Sequence, residues 1–149
     1  MSPDLHPLKE KTQEFALEKM KGADDPLLAA THAADEMIGA AVRKTEGKPG
    51  AITKEEIVRE ACHGAMAGML LSDLDICKGA VTLIGSMAEV AQEIHVDPAE
   101  LLTSTLEGIA RLTPAVSAQK MADVGAAIDS QFMGTAEIFR DLCRKAQTP

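Results

Sequence analysis

Glu60-Ala61-Cys62-His63 sets a carboxylate and an imidazole three residues apart. On a helix that spacing puts both on one face, where they can share a metal ion. His32-Ala33-Ala34-Asp35-Glu36 supplies a second set, with its ligands at i, i+3 and i+4. Glu60, His63, His32, Asp35 and Glu36 are therefore the candidate metal residues, and a transition metal is the candidate cofactor. Glu89 and Glu93 are further oxygen donors. A plainer reading competes. Glu56, Arg59, Glu60 and His63 recur at helical spacing opposite Ile57, Ala61, Ala65 and Met69. That is the pattern of a solvated polar face, and it needs no cofactor at all.

The Glu-x-x-His unit resembles, in part, the ferritin-like di-iron pattern, which uses the unit twice and adds single Glu residues from two other helices. The resemblance implies a helical bundle with a carboxylate/histidine centre. This chain departs from the pattern at the second unit. The residues three before His32, His95 and His6 are Ala29, Gln92 and Pro3.

Cys77 is the thiol most suited to reaction. It is expected in the first turn of a helix beside Lys78, and both features lower a thiol pKa. The alternative is a structural cysteine. No Cys-x-x-Cys, Gly-x-Ser-x-Gly, P-loop or dinucleotide fingerprint is present. Thr45 to Glu56 has the glycine and the last glutamate of an EF-hand loop. Its first, third and fifth positions are Thr45, Gly47 and Pro49, so the Ca²⁺ cage is missing.

These residues must be positioned by helices. The 149 residues suit one domain, 1–149, and 46% are hydrophobic. Alanine is the commonest residue, and the only aromatics are three Phe. That composition favours helix over strand. Helices are expected at about 4–21, 26–44, 54–72, 76–95, 98–112 and 114–145. Asp24-Asp25-Pro26, Thr53-Lys54-Glu55-Glu56 and Asp97-Pro98-Ala99-Glu100 are starting signals. The expected fold is all-α, five to six antiparallel helices or two stacked helical hairpins, with the first helix at the periphery. A gapless correspondence at a spacing of 44, Gly64 with Gly108 among others, hints at a repeated hairpin of HEAT-type length.

Charge narrows the function. Lys and Arg total 15 against 23 Asp and Glu, a net of −8. Such a chain repels phosphate backbones, so no nucleic acid is expected as partner. The longest apolar run, Ala61 to Leu71, is far short of the roughly 20 residues that cross a bilayer, so no membrane is expected either. The N-terminus carries no basic and apolar signal pattern. Three cysteines without short spacing suit reduced thiols, and the expected location is cytoplasmic.

Glycines inside helices, such as Gly64, Gly68, Gly108 and Gly125, point to close helix crossings or an oligomer seam. The leading expectation is a non-enzymatic helical interaction or scaffolding module that self-associates or binds another protein. Its apolar surface would lie on 64–71 or 121–139. The alternatives are the metal-binding bundle and a small carrier or sensor with an apolar pocket.

Overall fold

Most helices begin where a side-chain oxygen accepts an N–H that the helix leaves unpaired. Asp25 accepts from Leu28 N at 3.2 Å, Thr53 from Glu56 N at 3.2 Å, and Asp97 from Ala99 and Glu100 N at 3.1 and 3.2 Å. Asp75 and Ser117 do the same for two more helices. A computed structural model describes residues 6–147, with side chains from Leu8 onward. It contains α1 (His6–Met20), α2 (Pro26–Thr45), α3 (Lys54–Leu71), α4 (Ile76–Ile94), α5 (Pro98–Ala110), α6 (Ala118–Gln131) and α7 (Ala136–Gln147). A 3-10 turn spans Thr113–Ala115. Among the described residues there is no strand, and no helix is long and apolar enough to cross a membrane.

One expectation is corrected. Residues 114–145 do not form one helix; they divide into α6 and α7, so seven helices replace five to six. The break is built by Asp129, whose Oδ1 accepts from the N–H groups of Gly134, Thr135 and Ala136 at 3.0, 3.1 and 3.2 Å. A carboxylate there caps α7, and Gly134, at φ +91°, makes the turn that side-chain-bearing residues avoid. Thr113-Pro114 starts only the 3-10 turn, and Ser117 caps α6. The first helix buries Thr12 and Ala16 fully against its neighbours. Positions 4 and 5 of the helix expected there lie outside the described residues, as does His6 as a side chain.

Helix order obeys a simple rule. The odd-numbered helices stack side by side, α1 on α3, α3 on α5 and α5 on α7. The even-numbered helices form a second row, α2 on α4 and α4 on α6. α3, α4, α5 and α7 each rest on both of the two helices that precede them. The core lies between the rows, with Ile38, Ile57, Met66, Leu83, Ile109 and Ile128 essentially inaccessible.

Glycine sets the spacing inside the odd row. A Cβ at Gly64 would stand 2.3 Å from Lys9 O and 2.9 Å from Thr12 Cβ. A Cβ at Gly108 would stand 2.6 Å from Arg59 O and 2.9 Å from Cys62 Cβ. Each glycine thus meets a carbonyl and the side chain three residues further on, in the helix two before its own. The 44-residue offset links these two crossings and the caps Thr53 and Asp97. It does not extend to the next pair of caps, because Asp75 and Ser117 are 42 apart.

Candidate functional site

The five candidate metal residues lie on two helices, and Glu60 and Asp35 enter two different interfaces. Glu60 is 4% exposed and accepts a short charged hydrogen bond from Arg111, the residue that ends α5. Beside it Arg59 Nε lies 2.9 Å from Glu107 Oε2, an ion pair without the alignment of a hydrogen bond. The two pairs run in opposite senses across the α3/α5 crossing and flank Gly108. The stripe that includes Arg59 and Glu60 is therefore not a solvated face. It is the polar seam of a close packing, with half-buried His63 alongside.

Asp35 faces α4 instead. Its Oδ1 is 3.1 Å from Ser86 Oγ, which also lies 2.9 Å from Leu83 O. The single Ser86 proton serves one acceptor at a time. Burial is the main cause that pushes the Asp35 carboxyl up to about 6, and the charges of Glu93 and Glu89 push the same way. Ser86 and His32 oppose the rise. His32 and Glu36 are exposed. Among the described residues no three His, Cys, Asp or Glu side chains are grouped to hold a metal ion.

The thiols do not behave as the sequence suggests. Burial raises the Cys77 pKa, although Lys120 of α6 opposes the rise, and Asp75 and Asp123 reinforce it. The expected lowering is overturned because burial, which local spacing does not show, outweighs the nearby positive charge. Burial likewise pushes Cys62 up to about 12.

The open apolar surface lies elsewhere, between α6 and α7. Ala118, Met121, Ala122, Gly125 and Ala126 form one wall at successive helical turns, and Ala136, Phe139 and Cys143 form the other. The cleft between them holds about 300 Å³. Its polar groups are Thr113 together with Arg140, Arg144 and Gln147 from α7. Small residues explain the room. A Cβ at Gly125 would stand 3.1 Å from the Phe139 ring, so glycine lets that ring settle against α6. Burial raises the Cys143 thiol pKa, and the Thr113 hydroxyl beside it opposes the rise.

α6 rests on α4 and α7 on α5, and among the described residues no helix packs substantially on both α6 and α7. Of the two surfaces expected from sequence, 121–139 contributes to both walls of this cleft. The 64–71 surface is covered where α1 crosses it at Gly64 and Gly68, and Leu71 is left exposed at its end. No family model, curated protein or solved structure matches the chain.

Proposed function

We propose that the chain is a non-enzymatic helical binding module, a carrier or sensor of a small apolar ligand, with the α6/α7 cleft as its working site. The cleft itself carries this reading. Its volume of about 300 Å³ stands at the lower end of ligand pockets, roughly 300–1,000 Å³, and its apolar walls with few polar groups are what such pockets share. The groups suited to chemistry are committed elsewhere, Glu60 to Arg111 and Asp35 to Ser86. In the same reading the two rows are stacked hairpins.

The test is titration with the uncharged fluorophore N-phenyl-1-naphthylamine. Saturable enhancement is expected, and Ala126→Phe, which fills the cleft from an exposed position, should remove it while leaving the circular dichroism unchanged. Absent enhancement, or enhancement that survives Ala126→Phe, rejects the cleft as the working site.

Self-association as a scaffold is the second reading, favoured by Met133 and Ile138, which are 90% and 49% exposed. By helical spacing Ile138 lies on the side of α7 away from the cleft-lining residues. Light scattering on a sizing column decides it; a strict monomer at working concentration removes the reading.

A further inference from the structure

The cleft is apolar along its walls but not neutral at its edge. Arg140 and Arg144 stand one helical turn apart on the α7 wall, with the Gln147 amide a further turn along the same stripe. Arg144 Nη1 also lies 3.4 Å from Asp141 Oδ1. In a chain of net charge −8, two guanidinium groups on the margin of one apolar cleft are a local reversal of sign. Such a site attracts a ligand with a hydrocarbon body and a single anionic head.

We propose that the α6/α7 cleft binds a medium-chain aliphatic carboxylate. The chain lies between Ala122 and Ala126 on one wall and Phe139 on the other, and the carboxylate accepts hydrogen bonds from Arg140, with Arg144 adding positive potential. The small wall residues suit an unbranched chain, because their short side chains leave a smooth trough between two helices. A planar guanidinium suits a carboxylate because its paired N–H groups match the two oxygens. This inference rests on the cleft being the working site and adds the chemical class of its occupant.

Cys143 provides the readout, since it lines the cleft and is half-buried, while Cys62 is fully buried. In a Cys77→Ser background, maleimide labelling therefore reports Cys143. Octanoate, kept below its micelle concentration, is expected to slow labelling saturably. Octanol, with the same chain and no charge, should bind about tenfold more weakly, as should octanoate to Arg140→Gln, because a charge-assisted hydrogen bond is lost in each case. Ala126→Phe should abolish protection by both.

Equal protection by octanol and octanoate overturns the carboxylate assignment while leaving the apolar site standing. Protection by neither overturns the assignment and the proposed function together. Protection that persists in Ala126→Phe places the ligand outside the cleft and also overturns it. Heteronuclear NMR shifts confined to α6 and α7 on adding octanoate are the independent check on the labelling result.

Discussion

Two helices carry small residues at turn-spaced positions and use them to opposite ends. On α3, Gly64 receives α1 so closely that a backbone carbonyl occupies the place of a side chain, and Gly68 one turn on lies in ordinary contact with the same helix. On α6, Ala118, Ala122, Gly125 and Ala126 line the open cleft, and a Cβ at Gly125 would meet the Phe139 ring alone. The residue types are nearly the same. What differs is whether another helix comes to lie on them. A small-residue stripe therefore specifies a close approach without saying what approaches: backbone in one region, and in our proposal a ligand in the other.

The largest effect should come from breaking the filled side. Gly64→Ala sets a methyl group against Lys9 O and Thr12 Cβ, and the carbonyl cannot rotate away as a side chain would. A loss of about 3 kcal/mol is expected from such overpacking, read as a lower denaturant midpoint. Gly108→Ala should behave alike. If either substitution leaves the midpoint unchanged, the tight crossings are not what holds the odd row together.

Next in size is the seam beside Gly108. Glu60→Gln removes the charge that Arg111 meets, and the buried amide is a poorer partner. A loss of about 2 kcal/mol is expected. Arg111→Gln should cost comparably, and the double variant should cost less than the sum of the two, since both act on one contact. Additive losses in that cycle would show that the contact couples the helices weakly.

A smaller, pH-dependent effect belongs to Asp35. Its folded-state pKa of about 6 lies above its ordinary 3.8, so the folded state holds the proton more tightly. The stability gained from this is fully present below the unfolded pKa and is lost as pH rises through the folded one. Asp35→Asn removes that loss. Relative to the parent, the variant should gain about 1 kcal/mol between pH 4 and 7, reduced by the partial exposure of the site. Denaturant midpoints at pH 4, 5, 6 and 7 would reveal it, and a flat difference would mean that Asp35 does not titrate differently on folding. Smallest of all is Gly85→Ala on α4. Nothing lies within 4 Å of the added methyl, so the usual helix preference should raise stability by up to about 1 kcal/mol. The contrast between Gly64 and Gly85 isolates packing from propensity.

The sequence made the helix starts readable because capping is local. Asp25, Thr53 and Asp97 lie within three residues of the N–H groups they receive. The break before α7 is also local, but Asp129 reaches forward across a turn, and apolar spacing from Met121 to Cys143 continues through it. Long-range pairings were not readable. Glu60 and Arg111 are 51 residues apart, as are Asp35 and Ser86. Spacing could place Glu60 and His63 on one face, but not decide that α5 covers Glu60. The cleft was half visible. Its 121–139 stretch was singled out as apolar, with the stripe running on to Cys143, yet Arg140 and Arg144 were not connected with it, because that requires the turn at Gly134 to fold α7 back along α6.

The two rows of helices also set how the chain reaches and leaves its folded state. Each substantial helix pairing joins elements that are adjacent or two apart in sequence, so closing loops are short and long chain searches are few. Such low contact order favours fast folding. It also makes stability a sum of neighbouring contributions that can be lost from an end inward. In hydrogen exchange the amides of α7 should therefore open before those of α3, which is gripped on several sides. The binding element and the first element to unfold would then be the same, and an occupant of the cleft would be felt first as slower exchange at the end of the stack.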